Sequence, residues 1–114
     1  MNTSLLKEFR FKIGEQYELN EFNLKTLEST FINGIEFENY EYIEDDFKTL
    51  FGVKLLNNVI LQYNGDILCG VIYEFDMKHY SYLISKINEC SFIDVILEVL
   101  VKNETHCQIV LRSK

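Results

Sequence analysis

The stretch that decides the fold is VKLLNNVILQYNGDILCGVIY, residues 53–73. Two apolar runs, Val53–Tyr63 and Ile67–Tyr73, lie on either side of the triplet Asn64-Gly65-Asp66. An Asn-Gly pair between apolar runs is the strongest short-range signal of a β-hairpin, because both residue types tolerate the positive φ values of a type I′ turn. The sequence therefore predicts two antiparallel strands joined by a tight turn.

Downstream of this hairpin, the sequence predicts one helix and a second hairpin. Asp76 is placed to cap the helix. The apolar stripe of that helix has helical spacing and consists of Met77, Tyr80, Leu83, Ile84 and Ile87. Beyond the helix, side chains that alternate between two sides predict a strand at Val95–Val101. The polar turn 103–106 then leads into a last strand, Gln108–Arg112.

Residues 20–37 allow two interpretations. In the first, Asn20 caps a helix that ends at Asn33-Gly34. The apolar residues at helical spacing are Leu24, Leu27 and Phe31. In the second, Asn33-Gly34 is a type I′ turn that joins the strands Thr30–Ile32 and Ile35–Phe37. We expect the helix and keep the hairpin as the alternative.

The remaining segments complete the predicted order. Side chains that alternate between two sides predict strands at Glu8–Ile13 and Ile35–Ile43. A short helix that ends at Gly52 is expected after them, with Asp45 and Asp46 placed to cap it. The resulting order is β-α-β-α-β-β-α-β-β. Because hairpins dominate this order, we expect an α+β fold, with one mainly antiparallel sheet and two to three helices in a single domain over residues 1–114.

The composition is that of an ordinary globular protein. Of the 114 residues, 47% are apolar and 25% are charged, which excludes a disordered chain. Eighteen acidic residues against eleven Lys and Arg give a net charge of −7. Because phosphate binding depends on Lys and Arg, this balance argues against direct binding of nucleic acid or of an anionic membrane.

Sequence features also favour a cytoplasmic location. Residues 1–7 contain no apolar run followed by a small-residue cleavage site. The longest apolar stretches, Ile67–Tyr73 and Val95–Val101, are far shorter than the roughly 20 residues that span a bilayer. The cysteines are odd in number and widely spaced: Cys69, Cys90 and Cys107. We expect reduced, packed thiols, with a disulfide between two of them as the alternative.

The acidic residues are concentrated in one segment of the chain. Between Lys25 and Lys48 there is no basic residue at all. The seven acids in this interval are Glu28, Glu36, Glu38, Glu41, Glu44, Asp45 and Asp46. They equal the whole net charge, because the other eleven acids are balanced by the eleven bases. The chain is therefore a nearly neutral domain that carries one negative segment.

This segment is the candidate binding site for a basic protein. Same-side carboxylates on a strand repeat at about 7 Å, which is comparable to the phosphate spacing along a nucleic-acid strand. Aromatic side chains among the acids are expected to be exposed and to supply contact area. The candidate partner-binding residues are Glu36, Phe37, Glu38, Tyr40, Glu41, Tyr42, Glu44, Asp45 and Asp46. The alternatives are a solvated face that protects an edge strand, and a cation site.

No catalytic or metal-binding motif is present in the sequence. The two histidines, His79 and His106, and the three cysteines lack the spacing of a zinc site. Neither a GxGxxG nor a GxxxxGK[ST] loop occurs, and no nucleophile, base and orienting group can be named together. We therefore expect a protein that is not an enzyme and that uses no metal or cofactor.

The order of elements in the second half is loosely similar to that of a HIRAN domain. The residues that carry this likeness are Asn57–Gly65 and Ile67–Ile72, followed by the amphipathic helix and two strands. The resemblance is topological. It implies a small β-rich module that captures single-stranded DNA ends. An oligonucleotide-binding module is therefore the alternative function.

The acid-rich, single-domain profile is also similar in physical type to immunity proteins of bacterial toxin systems and to phage-encoded inhibitors of nucleases. Such proteins act as nucleic-acid mimics, or simply cover a basic surface. We accordingly expect a small acidic inhibitor, of the toxin-immunity or anti-CRISPR-like type. Its partner would be a nuclease or another nucleic-acid-binding enzyme, whose basic surface it would block.

Overall fold

An antiparallel sheet dominates the computed structural model, which describes residues 8–90 and 94–114. The strands in these ranges are β1 (Leu24–Thr26), β2 (Thr30–Ile32), β3 (Ile35–Tyr42), β4 (Thr49–Leu50), β5 (Val53–Lys54), β6 (Ile60–Asn64), β7 (Ile67–Asp76), β8 (Val95–Val101) and β9 (His106–Ser113). The main sheet has the order β1-β3-β6-β7-β9-β8, and β2 also pairs with β3. β4 and β5 form a separate hairpin. The expected mainly antiparallel sheet is confirmed, whereas the expected two to three helices are not, since the described ranges contain one α-helix and three 3-10 turns.

The central hairpin, β6–β7, is confirmed, with its two turn residues one position later than the Asn64-Gly65 pair. Asn64 pairs with Ile67, so Gly65 and Asp66 form a two-residue turn with φ values of 56° and 65°. A β-bulge shifts the register between Gln62 and Tyr63. The side chain of Gln62 packs closely over Gly70, where an added Cβ would lie 2.6 Å from Gln62 Oε1. Gly70 thus allows the Gln62 side chain to lie flat on the sheet.

The elements downstream of β7 also follow the prediction. The Asp76 carboxylate accepts a hydrogen bond from the backbone N–H of Lys78 at 2.9 Å and caps a 3-10 turn, Met77–His79. This turn leads into α1 (Tyr80–Ile87), which buries Leu83. The chain then forms β8 and returns as β9, which inserts between β7 and β8. In the described ranges, α1 is the one α-helix, and no helix is long and apolar enough to cross a membrane.

The helix expected between Asn20 and Asn33 is wrong, and the alternative hairpin is confirmed. β1 and β2 pair with successive parts of β3, and Ile32 pairs with Ile35 across the turn residues Asn33 and Gly34. These two residues have φ values of 53° and 80°, as a type I′ turn requires. A helix would also have needed to bury Phe31, which is exposed here. Pairing with β3 therefore overrides the helical spacing.

Two further expectations upstream are wrong. Residues 8–13 form no strand, although their rings Phe9 and Phe11 are buried in the core. The short helix expected before Gly52 is replaced by the β4–β5 hairpin, whose turn residues Phe51 and Gly52 have φ values of 54° and 77°. The backbone N–H of Phe51 donates to Glu8 Oε1 at 2.7 Å, which helps to hold this strained turn. The predicted order β-α-β-α-β-β-α-β-β is therefore not observed.

The core lies on one face of the sheet and is rich in aromatic rings. Phe9 contacts Phe51 and Tyr73 with ring centroids 5.4 and 6.1 Å apart, and Phe11 contacts Tyr42 at 4.8 Å. The largest fully buried side chains are Tyr42, Tyr63, Tyr73, Phe9, Phe11, Phe75, Leu50, Leu61, Leu68, Leu83, Ile109 and Leu111. The segment that contains Phe9 and Phe11 thus covers the sheet without joining it, and it decides which face of β3 is buried.

Candidate protein-binding surface

The structure places the two candidate tyrosines in the core. Tyr40 is 9% exposed and Tyr42 is 1% exposed, so the expectation that they offer surface contact area is wrong. Both lie on the face of β3 that is covered by other rings: Tyr40 contacts Tyr17 at 5.2 Å, and Tyr42 contacts Phe11 at 4.8 Å. Burial raises the pKa of Tyr42 to about 12, and a hydrogen bond to Asp46 adds to this effect. Both tyrosines therefore belong to the core and offer little exposed surface.

The two aspartates are paired within the chain. Arg10 Nη1 lies 2.9 Å from Asp46 Oδ2, and the Tyr42 hydroxyl donates to Asp46 Oδ1 at 2.6 Å. This hydrogen bond from Tyr42, followed by the one from Arg10, lowers the pKa of Asp46. Lys48 Nζ lies 3.6 Å from Asp45, whose side chain is almost fully exposed. This end of the acidic segment is therefore partly neutralised by the protein's own bases.

The acids on β3 do not form one continuous strip, contrary to expectation. Side chains alternate along a strand, so Glu41 lies on the opposite face of the sheet from Glu36 and Glu38. Glu41 Oε2 accepts a hydrogen bond from Asn58 Nδ2 at 2.7 Å, and Glu38 Oε2 accepts one from the Tyr40 hydroxyl at 3.0 Å. Glu44 is exposed in the segment after β3. The negative charge is thus divided between the two faces of the sheet, and between the beginning of β3 and the segment that follows its end.

The most prominent surface in this region is the end of the β2–β3 hairpin. β6 pairs with β3 only over Glu38–Glu41, so β2 and the first residues of β3 extend past the end of β6. We call residues 30–37 the hairpin tip. Its exposed apolar side chains are Phe31 (68% exposed), Ile32 (52%) and Ile35 (51%). Large apolar side chains grouped at a protruding turn are typical of a protein contact site.

The two faces of the hairpin tip carry different side chains. Phe31 pairs with Glu36, so a ring and a carboxylate lie side by side on one face. Ile32 and Ile35 pair on the other face, followed along β3 by the half-buried Phe37. In the described ranges, no basic side chain forms an ion pair with Glu28, Glu36 or Glu38. The tip therefore combines exposed apolar area with a carboxylate, Glu36, that no base in the described part of the chain pairs with.

The hairpin tip is held in place by side-chain amides. Asn39, buried on β3, donates through Nδ2 to the carbonyl oxygen of Glu28 at 2.9 Å and to Thr30 Oγ1 at 2.7 Å. These bonds fix the break between β1 and β2. Asn64 Nδ2 donates to the Glu36 carbonyl oxygen at 3.0 Å and joins the tip to the β6–β7 turn. The tip is thus anchored at its base from two sides.

Sequence reasoning missed Phe31, Ile32 and Ile35 as candidate contact residues. The available signal was the turn dipeptide Asn33-Gly34, because a hairpin at that position carries its neighbours to the end of the ribbon. Assigning Phe31 to a helix stripe hid this consequence. Of the acids named from the sequence, Glu36 and Glu38 lie at or beside the tip, whereas Glu41, Asp45 and Asp46 lie outside it.

A second polar cluster lies around Glu74, on the sheet face opposite the core. Glu74 is buried and accepts hydrogen bonds from Asn57 Nδ2 at 2.6 Å, and from Lys102 Nζ and Gln108 Nε2 at 3.0 Å each. Burial opposes ionisation, but the bonds from Gln108 and Lys102 outweigh it and lower the pKa of Glu74. Through these hydrogen bonds, the Glu74 carboxylate links β7 to the β5–β6 loop and to β9. The described residues contain no group of three acids, histidines or cysteines placed to hold a metal ion.

The three cysteines have free thiols. Cys107 is buried, and Cys69 and Cys90 are half-buried. Burial raises the pKa of all three thiols, which disfavours the reactive thiolate.

Comparison of the chain with protein-family models, with curated proteins and with solved structures finds no match. The exposed surface of the described chain is therefore what indicates its function.

Proposed function

We propose that the chain is a small protein-binding inhibitor that docks its hairpin tip against the basic nucleic-acid-binding surface of a partner enzyme. The observation that supports this most is the exposure of Phe31, Ile32 and Ile35 beside acids that are unpaired in the described chain. Inhibition would be steric: the tip and its flanking strands would cover the surface that nucleic acid uses. The toxin-immunity and phage-type anti-nuclease classes both fit this description.

The charge of the tip supports a cationic partner. The segment between Lys25 and Lys48 has no basic residue, so a surface of Lys or Arg would meet no repulsion there. Opposite charge speeds association and makes it dependent on salt, whereas like charge rejects acidic competitors. Glu36 and Glu38 are the acids best placed for this purpose, because they continue along β3 from the exposed end of the hairpin.

The apolar side chains of the tip supply the binding energy in this proposal. Phe31 is the largest of them, and buried aromatic anchors dominate the energetics of most protein interfaces. Acids alone give modest affinity, since exposed ion pairs contribute little in water. The Phe31 ring beside the Glu36 carboxylate combines an apolar anchor with a charged group at its rim.

The test compares tip variants with matched controls elsewhere on the surface. The partner is first captured from a lysate of the native host on the immobilised chain, identified, and purified. Its binding is then titrated against Phe31→Ser and Glu36→Lys. The matched controls are Leu56→Ser, which removes another exposed apolar side chain, and Glu104→Lys, which reverses an exposed charge in the β8–β9 turn. We expect the tip variants to weaken binding about tenfold or more, with the controls close to the wild type.

Two further measurements separate the candidate functions. Nucleic-acid binding by the captured enzyme should be lost in the complex. A fluorescent single-stranded oligonucleotide at low salt should not bind the isolated chain. Equal weakening by tip and control variants, or a captured partner without a basic surface, would refute the proposal. Salt-dependent oligonucleotide binding would instead favour the HIRAN-like alternative.

A further inference from the structure

The edge strand β8 has an unusual composition for its position. It is the outermost strand of the main sheet, and along its seven residues it pairs with β9 on one side only. In the described ranges, no strand pairs with its outer side. Its sequence, VILEVLV, contains six aliphatic residues, with Leu100 and Val101 exposed at 41% and 55%. Natural edge strands of this length usually carry lysines, prolines or bulges that prevent further pairing.

Two hydrogen bonds at the ends of the β8–β9 ladder show which backbone groups point outward. The N–H of Lys102 donates to the carbonyl of His106 at 3.0 Å, and the N–H of Lys114 donates to the carbonyl of Asp94 at 3.4 Å. In an antiparallel pair, hydrogen-bonded residues alternate with residues whose N–H and C=O groups point away. The groups that point away from β9 therefore belong to Val95, Leu97, Val99 and Val101.

The sequence of β8 is nearly symmetric about its middle residue, Glu98. Read in reverse, VILEVLV becomes VLVELIV, so an aliphatic residue corresponds to an aliphatic residue at every position except the centre, where Glu98 corresponds to itself. Antiparallel pairing of β8 with a copy of itself about Glu98 places Val95 opposite Val101 and Leu97 opposite Val99. All four outward-pointing residues then form hydrogen-bonded pairs. A shift of the two-fold axis to residue 97 or 99 leaves one end of the strand without its partner.

The charges on the molecule permit this association. Two copies of Glu98 would face each other at the axis, but each is already bound by its own Arg112, with Nη2 and Nε at 2.6 and 3.0 Å from Glu98 Oε1. This ion pair reduces the repulsion that an isolated carboxylate would cause. The acidic strand β3 lies four steps across the sheet from β8, about 19 Å at the usual strand spacing. The negative segments would therefore lie far from the shared edge.

We propose that the chain forms a two-fold symmetric dimer, in which β8 pairs antiparallel with β8 of a second copy about Glu98. The β2–β3 hairpin tip is at the other edge of the sheet and stays accessible. The dimer thus would present two tips, one at each far end. This inference stands on the geometry of β8 and does not depend on the identity of any partner of the tip.

The first test measures mass by size exclusion with light scattering over a range of concentrations. The wild type should reach twice the 13.5 kDa of the single chain. Val101→Pro removes an outward-pointing N–H and leaves the β8–β9 ladder intact, whereas the matched control Val101→Ala keeps the N–H. We expect Val101→Pro to weaken the dimer about tenfold or more and Val101→Ala to change it little. A wild type that stays at the single-chain mass would overturn the proposal.

The second test reads the register directly and remains informative if Val101→Pro fails to fold. In the proposed register, the two copies of residue 98 form a non-hydrogen-bonded pair, whose Cβ atoms are close enough for a disulfide. Glu98→Cys should therefore cross-link into a dimer under mild oxidation. Glu104→Cys, in the β8–β9 turn, should remain at the wild-type background set by the native cysteines. Equal cross-linking of both variants, or none at residue 98, would show that the dimer uses another surface or register.

Discussion

Replacing Tyr73 by Phe is expected to stabilise the protein. The Tyr73 ring is completely buried between Phe9 and Phe47, and its hydroxyl has no hydrogen-bond partner among the described residues. A buried hydroxyl without a partner costs about 1–3 kcal/mol, since it has given up its bonds to water. Tyr73→Phe removes this cost and leaves the ring in place. We expect a gain of about 1–2 kcal/mol in the free energy of unfolding.

Tyr42→Phe is the matched control with the opposite sign. Tyr42 is equally buried, but its hydroxyl donates to Asp46 Oδ1 at 2.6 Å. Because the acceptor is a carboxylate, the loss of this bond should cost about 1.5–3 kcal/mol. Both variants delete one oxygen atom from a ring in the same core, so cavity effects are similar and the difference reports the hydrogen bond.

Urea denaturation followed by tyrosine fluorescence or circular dichroism measures both variants. The midpoint should rise for Tyr73→Phe and fall for Tyr42→Phe, with the slope of the free energy against urea unchanged in each case. A loss of stability in Tyr73→Phe as large as that in Tyr42→Phe would refute the reasoning. It would mean that the Tyr73 hydroxyl makes a stabilising bond in solution.

Two further predictions concern the ion pair of Asp46 and the packing of Gly70. Hydrogen bonds from Tyr42 and Arg10 lower the folded-state pKa of Asp46, so its contribution is present above the unfolded-state pKa and is lost as the pH falls through the folded-state pKa. Asp46→Asn should therefore make the free energy of unfolding depend less steeply on pH in the acid range. Urea denaturation at a series of pH values measures this dependence, and a slope equal to that of the wild type would contradict the prediction. Gly70→Ala should cost no more than about 1 kcal/mol, because the atom that its Cβ meets at 2.6 Å, Oε1, is the far end of the flexible Gln62 side chain and can turn away. A loss of several kcal/mol in urea denaturation would contradict this expectation.

The elements that could be predicted from the sequence are those with a strong local signal. The triplet Asn64-Gly65-Asp66 indicated the central turn, because few other structures accept two successive residues with positive φ, here Gly65 and Asp66. The Asp76 cap and the stripe from Met77 to Ile87 likewise identified the helix, since capping and periodicity agreed. Where local chemistry and the required pairing coincide, neighbouring residues are sufficient to specify the element.

The errors occurred where distant residues decide between local options. Leu24, Leu27 and Phe31 fit a helix, but β3 needs a partner along its outer edge, and β1 and β2 supply it. Which face of β3 is buried depended on Phe11, which is thirty-one positions before Tyr42 in the sequence and contacts its ring. The alternation of β3 gave the two faces correctly but could not assign the core to either of them.

The contacts of Phe9 and Phe11 have a consequence for how the chain folds during its synthesis. These rings emerge from the ribosome before their partners, which include Tyr42, Phe47, Phe51 and Tyr73. Phe11 lacks one of its ring contacts until Phe47 has been made, and Phe9 lacks one of its own until Tyr73 has been made, more than sixty residues later. Translation that pauses before Tyr73 would prolong this exposure, and the nascent chain would be most vulnerable to aggregation during that interval.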